Sequence, residues 1–207
     1  LREVALGRAP DVRGRRVAVI GGGNVAVDAA RTAWRLEAAE VHIVYRRTRA
    51  DMPAYPEEIE AAAHEGIVFH FLTAPVRVLG PARVTALELQ DQKLTDFDKS
   101  GRRRPVPIEG AVRSLSVDLV IPAIGQETDK RCALEAGIET NRDSTLKVGP
   151  SLATTRQGVF AAGDAVSGPA SVIEAVAQGN RVAREVARFL ETGERVRVQM
   201  PLEAHLP

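Results

Sequence analysis

One stretch constrains this chain more than any other: Arg15-Arg16-Val17-Ala18-Val19-Ile20-Gly21-Gly22-Gly23-Asn24-Val25-Ala26-Val27-Asp28. A short apolar run rich in β-branched residues stops at three glycines, and a helix-forming run from Val25 to Leu36 follows at once. Strand, glycine turn and helix in succession turn a bare glycine pattern into a phosphate-binding hypothesis. Gly21 lets the chain turn sharply, Gly23 leaves room for a pyrophosphate at the backbone, and the small Ala26 lets the helix lie close on the strand. The helix then turns its free N–H groups and positive dipole end toward an anion. This predicts an α/β fold built on a Rossmann-like parallel sheet. Its first strand is Arg16–Ile20, and its first helix buries Val25, Ala29, Ala33 and Leu36 at helical period.

The second strand, Val41–Tyr45, ends in Arg46-Arg47, with Arg46 standing 25 residues after Gly21. An NAD-binding unit places an Asp or Glu about 20 residues past its glycines to bond the ribose 2′-hydroxyl. Two arginines there suit a 2′-phosphate, which a guanidinium can grip through two hydrogen bonds. The chemistry asks for NADP rather than NAD. The simpler alternative is a solvated strand end, since strand ends often carry charge.

Thr48 to Pro56 reads as a loop, Glu57–Glu65 as a helix closed by Gly66, and Ile67–Leu72 as a third strand. From Ala74 to about Pro107 short β-type runs, Val76–Leu79 and Val84–Gln90, alternate with a charged turn from Asp96 to Arg104. That pattern predicts a β-meander inserted in the α/β unit, with the arginine run as a solvated loop. Val117–Gly125 is another buried-strand run. Ligands in open α/β sheets lie beyond the carboxyl ends of strands, so Ala123, Ile124 and Gly125 either flank the nicotinamide end or form a plain exit from the strand. Residues 126–157 are polar and irregular. Gly158–Asp164 reads as a short strand delivering an aspartate, and a long helix begins near Ser171 with Val172, Val176, Gly179, Ala183, Val186 and Leu190 on one stripe. Gly179 in that stripe suggests close backbone contact, Gly193 marks the helix end, and 194–207 reads as a tail.

Composition narrows the partners. The 207 residues carry a net charge of +1, which gives no reason to expect nucleic acid or an anionic membrane as the main partner. No apolar run approaches the ~20 residues of a membrane span. The single cysteine, Cys132, excludes an internal disulfide, a CxxC pair and an all-cysteine iron–sulfur site, and fits a cytoplasmic setting. His42, His64, His70 and His205 show no ligand spacing, so no metal site is expected and each reads as structural or surface. No residue stands out as an acid, base or nucleophile, so no catalytic residue is assigned.

Three segments together carry a resemblance: Val19 to Asp28; Val44-Tyr45-Arg46-Arg47 followed by Met52-Pro53; and Gly158–Asp164 with its following helix. In order and spacing they resemble the small (beta) subunit of NADPH-dependent glutamate synthase, with the NADP-binding part of dihydropyrimidine dehydrogenase and ferredoxin-linked NADPH transhydrogenases as relatives. The resemblance implies hydride transfer from NADPH to FAD and single electrons onward to an iron–sulfur subunit or domain, like the large subunit of glutamate synthase. It implies that Gly21, Gly22, Gly23, Asn24 and Val25 hold the NADPH pyrophosphate and that Arg46 and Arg47 hold the 2′-phosphate. It implies that Gly163 and Asp164 meet the ribityl–phosphate region of FAD, while Ser171 and Val172 turn backbone N–H groups toward the flavin. Only one strand–glycine–helix fingerprint is present, and the family's cysteine-rich segment and first FAD motif are not. The expected organisation is therefore an NADP(H)-binding domain over 10–125 and, over 126–193 with 1–9, the C-terminal part of a second, FAD-binding domain whose site is incomplete, as in a C-terminal fragment. FAD binding and turnover by this chain alone are not expected.

The competing class is a nucleotide-binding module without chemistry, a scaffold or sensor. A short-chain dehydrogenase would need Tyr-x-x-x-Lys, but Tyr45 is followed four on by Arg49 and Tyr55 by Ile59. A P-loop is excluded because none of Lys93, Lys99, Lys130 or Lys147 follows a glycine.

Overall fold

The computed structural model describes residues 2–7, 11–97 and 101–193. Pro10, Asp98, Lys99, Ser100, His205 and the expected tail lie outside the described residues. The chain divides into two compact units, with the boundary between Ile124 and Gly125. Residues 2–7, grouped with the second domain by resemblance, cluster with the first unit, and include a short helix α1 (Arg2–Ala5).

In the first unit β1 (Arg16–Ile20) leads through the glycines to α2 (Asn24–Arg35), then β2 (Glu40–Val44), α3 (Pro56–His64) and β3 (Val68–His70). Three antiparallel strands follow, β4 (Thr73–Leu79), β5 (Ala86–Phe97) and β6 (Arg103–Ser116), before β7 (Leu119–Pro122) returns to the first sheet. The parallel sheet has the order β3-β2-β1-β7 and the antiparallel sheet β4-β5-β6. The expected α/β unit with a meander insertion is therefore present, and the meander extends to Ser116. The charged turn is shorter than expected: β5 runs on to Phe97 and β6 already begins at Arg103.

Strand alternation explains how both faces of the parallel sheet are buried. Val17, Val19, Val41 and Ile43 pack against Ala26, Val27, Ala30 and Ala33 of α2 and Ile59 and Ala62 of α3. Ala18, Ile20 and Val44 face the other way, against Leu87, Leu89 and Val117. The buried stripe of α2 thus differs from the sequence expectation, since Val25 is 61% exposed. The glycine turn places Val25 in the first helical turn on the side away from the sheet. At the amino ends of the strands, the Arg16 guanidinium and backbone N–H both bind Asp118 (2.8–3.1 Å), clamping β7 to β1 and holding that carboxyl well below the usual range.

Arg31 on α2 lies between Glu58 and Glu65, with its Nη2 2.7 Å from Glu65 Oε1, and Arg35 adds a second contact to Glu65. The guanidiniums hold the Glu65 carboxyl below its usual range. Glu65→Gln should lower stability by about 1–2 kcal/mol at pH 7, because partial solvation discounts the charged hydrogen bonds. A depressed carboxylate stabilises above its unfolded pKa and loses that contribution as pH falls through the folded value. The wild-type advantage in urea midpoint over Glu65→Gln should therefore disappear in acid.

The second unit contains α4 (Arg131–Glu135), α5 (Asp164–Ser167) and α6 (Val172–Thr192), joined by isolated bridges such as Val148 to Thr154 and Ala153 to Phe160. The strand expected over Gly158–Asp164 is reduced to the bridge at Phe160. Among the described residues it has no parallel neighbour, so no ladder can extend. On α6, Ala175, Gln178, Val182, Glu185, Val186 and Phe189 are the half-buried positions. The expected stripe is displaced: Val172 is 79% and Leu190 75% exposed, and no atom approaches the space beside Gly179. Phe189 instead packs edge-on to Phe160, with ring centroids 5.7 Å apart. Gly193 ends the helix in a left-handed conformation.

Candidate nucleotide site

The glycine turn sits where β1 passes into α2. Gly21 has φ +142°, and an added Cβ would stand 2.3 Å from the Ala123 carbonyl oxygen at the end of β7. Gly22 is covered by the Tyr45 ring, which would lie 2.5 Å from such a Cβ. Gly23 is different: its nearest neighbour would be Pro53 Cγ at 3.9 Å. The turn is therefore closed at its first two glycines and open at the third.

Gly23 is the N-cap of α2, no side chain caps that end, and the first turn carries no acid. A dinucleotide's pyrophosphate fits this place, with open space beside Gly23, uncapped backbone N–H groups and the positive end of a 12-residue helix. Val25 contributes backbone only, its side chain pointing out. Asn24 also anchors the neighbouring loop. Its Oδ1 accepts a hydrogen bond from the Tyr55 N–H (2.9 Å), which fixes the side-chain amide so that its NH2 is the remaining polar group.

That bond belongs to a set that pins loop 48–56 to the turn. Ala54 N–H donates to the Gly22 carbonyl (3.2 Å), and the Tyr45 hydroxyl donates to the Asp51 carbonyl (2.7 Å). The Asp51 carboxylate accepts in turn from the backbone N–H and the hydroxyl of Thr48. These bonds, with the nearby Arg47 and Arg103 charges, hold its carboxyl below the usual range. Arg49, Ala50, Met52, Ala54, Pro56 and Ile59 line a cavity of about 410 Å³ beside this loop.

The two arginines part company. Arg46 is exposed. Arg47 is only 4% exposed and its Nε donates to the Arg103 carbonyl (2.9 Å), tying the end of β2 to the start of β6. The sequence treats the pair as equivalent; the structure gives one to solvent and one to the hairpin. Arg103, read as part of a solvated run, is its partner.

Ala123 donates to the Ile20 carbonyl (2.8 Å) and packs beside the core, while Ile124 is 76% exposed. Gly125, with φ +104°, opens the second unit. In that unit Gly163 N–H donates to Gln178 Oε1 (2.8 Å), and the Asp164 carboxylate accepts from Ala170 N–H (3.3 Å), closing a turn. The start of α6 is occupied by its own residues. Ser171 N–H donates to Glu174 Oε2 (2.9 Å), Glu174 N–H donates to Ser171 Oγ (3.3 Å), and Val172 is exposed just beyond. With Glu174 in its first turn, this helix start offers less to a negative group than α2 does.

Sequence reasoning missed Tyr45, whose ring closes the turn at Gly22. Its signal was an aromatic residue at the end of the strand next to the glycines. No cluster of three or more His, Cys, Asp or Glu side chains able to hold a metal occurs among the described residues, nor a helix long and apolar enough to cross a membrane.

The sequence model of the family described as pyridine nucleotide-disulphide oxidoreductase matches residues 2–179. The beta subunit of NADP(+)-dependent formate dehydrogenase from Moorella thermoacetica is 46% identical over 93% of this chain, which spans 27% of that protein. A putative glutamate synthase [NADPH] small chain from Cereibacter sphaeroides is 37% identical over 87% of this chain, which spans 44% of it. Among solved structures, T. acidophilum thioredoxin reductase superposes with a TM-score of 0.70 at 20% identity, over 87% of this chain and 54% of that one, a likeness of fold. The resemblance to the glutamate synthase small-subunit group holds at family level, and the chain spans less than half the length of these curated relatives.

Proposed function

We propose that this chain, which belongs to the pyridine nucleotide-disulphide oxidoreductase family, is the NADPH-accepting part of a flavin-dependent oxidoreductase. The observation that carries the reading is the glycine turn, closed at Gly21 and Gly22 and open at Gly23, with Arg46 exposed at the end of the neighbouring strand. Backbone N–H groups from Gly23 to Val25 and the Asn24 amide would hold the pyrophosphate. Arg46 would hold the 2′-phosphate, with Arg47 fixing the strand end behind it. Ala123 and Ile124 would border the nicotinamide. When bound, NADPH supplies a hydride and FAD accepts it; the residues of this chain bind, orient and exclude water.

The finer assignment is an NADP(H)-binding domain over 10–125, with Gly125 beside Ala123 and Ile124 at the nicotinamide end, and part of an FAD-binding domain over 126–193, with Gly163, Asp164, Ser171 and Val172 on the flavin side. In the whole protein, electrons would pass from FAD to an iron–sulfur partner of the glutamate synthase or formate dehydrogenase kind, in the cytoplasm. Relatives named as beta subunits and small chains support a partnered role. One observation favours the second reading, a nucleotide-binding module without chemistry: the start of α6 is capped by Ser171 and Glu174, leaving less to meet a flavin.

Fluorescence titration of the chain with NADPH and NADH, with and without added FAD, separates these readings. Preference for NADPH with FAD uptake supports the reductase. NADPH binding with no FAD uptake is what an incomplete flavin site predicts, and NADPH-driven dye reduction by the whole protein then decides between reductase and module. No preference between the nucleotides would overturn the NADPH assignment.

A further inference from the structure

The face of the parallel sheet turned away from α2 carries a line of polar groups that nucleotide binding does not use. His42 stands on β2 with Glu40, His70 ends β3, and Arg113 reaches them from β6. His42 Nε2 lies 3.2 Å from Glu40 Oε2, His70 Nε2 lies 3.2 Å from His42 Nδ1, and Arg113 Nη2 lies 3.4 Å from His70 Nδ1. The rings are 5.2 Å apart, and His42 is 7% exposed.

With both rings neutral, the donors and acceptors can run in one direction only. A carboxylate accepts, so His42 Nε2 donates to Glu40 and His42 Nδ1 is left to accept. His70 Nε2 therefore donates to it. His70 Nδ1 then accepts from Arg113, whose guanidinium has donors only. Each imidazole carries its one proton on Nε2, and the line is complete while both are neutral. A second proton on His70 must go to an Nδ1 already used as an acceptor, where it would meet the Arg113 guanidinium. The other elements packed here do not relieve this. β1 brings Ala18 opposite His42, β4 brings the Thr73 hydroxyl to Arg113 (3.3 Å), and Asp91 on β5 faces Arg113 (3.4 Å) rather than either ring.

The backbone around His70 holds the strand end that displays Arg46. Tyr45 N–H donates to the His70 carbonyl (2.9 Å), Leu72 N–H to the Arg47 carbonyl (3.0 Å) and Thr73 N–H to the Tyr45 carbonyl (3.1 Å). We infer that His42 and His70 are positioning residues for the Arg46 strand end, and that their neutral-only hydrogen-bond line makes this unit's grip on NADPH acid-sensitive. The ligand in this inference rests on the NADPH reading above; the acid sensitivity of the fold does not.

Burial, with His42 and Arg113 as neighbours, pushes His70 down to about 4, against 6.5 ordinarily. The fold disfavours the charged form, so the unfolded chain binds the proton first. Stability then falls as pH drops from about 6.5 toward 4, and levels off below.

The test compares wild type, His70→Gln and His70→Leu by urea midpoint and by NADPH fluorescence titration at pH 7.5, 6.0 and 5.0, on the full chain. Glutamine can donate through Nε2 and accept through Oε1 without titrating. Wild type should lose urea midpoint steadily from pH 7.5 to 5.0. His70→Gln should bind NADPH like wild type at pH 7.5 and lose most of that pH slope. His70→Leu should bind about 10-fold more weakly at pH 7.5. The 2′-phosphate itself titrates near pH 6, alike for all three, so the difference between wild type and His70→Gln is what counts. An equal pH slope in those two would overturn the acid sensitivity, and wild-type NADPH affinity in His70→Leu would overturn the positioning role. If no protein binds NADPH, the nucleotide reading fails, and the urea series still decides the histidine line.

Discussion

Gly21→Ala should cost this protein its first unit, not only its nucleotide. Two penalties coincide. Its φ of +142° belongs to a region that side-chain-bearing residues rarely adopt. The new Cβ would also stand 2.3 Å from the Ala123 carbonyl oxygen, and that oxygen is backbone. Ala123 donates its own N–H to Ile20, so moving it away strains the β1–β7 pairing beside the core. Strain and overlap together place the loss at the upper end for single substitutions, ~4 kcal/mol or more. Urea denaturation should show a sharply lowered midpoint or no folded baseline. A wild-type midpoint would mean that the turn is not held against β7. Gly23→Ala is the control from the same turn. With only Pro53 Cγ at 3.9 Å, it should leave the urea midpoint nearly unchanged while blocking the approach of a pyrophosphate.

The contrast between those glycines shows what a linear sequence can carry. Strand, turn and helix are adjacent in the chain, so the glycine pattern foretold β1, the turn and α2 to within a residue. Which glycine is covered depends on Tyr45, more than 20 residues on, and no local pattern encodes that contact. Arg47 is a sharper case. Its partner is a carbonyl 56 residues away, inside the inserted sheet, so the sequence displays two adjacent arginines without showing that one is committed to the fold. On α6 two apolar rows run at similar spacing, one through Val172 and Val176, the other through Ala175, Val182 and Phe189. Periodicity finds both, and packing against Phe160 selects the second. The histidine line was legible only as an absence of ligand spacing, because its members come from three strands, β2, β3 and β6, in two sheets.

Arg46→Ala should separate the two nicotinamide nucleotides. NADPH differs from NADH by the 2′-phosphate alone, so a residue that meets only this group changes only the NADPH constant. Arg46 is exposed at the end of β2, so its loss should leave the core packing intact. A charge-assisted hydrogen bond contributes about 1.5–3 kcal/mol, so NADPH affinity should fall about 10- to 100-fold with NADH nearly untouched. Arg47→Ala should behave differently. Removing a buried guanidinium that binds the Arg103 carbonyl lowers the urea midpoint and weakens both nucleotides together, because the strand end itself loosens. Fluorescence titrations of both variants with both nucleotides give four ratios to wild type. Selectivity lost at Arg46 and kept at Arg47 is the expected pattern. Equal losses for NADPH and NADH at Arg46 would remove the 2′-phosphate from the account. The reverse pattern would mean that Arg47 leaves its hairpin to reach the ligand, which would change the inserted sheet from a support into a moving part of the site.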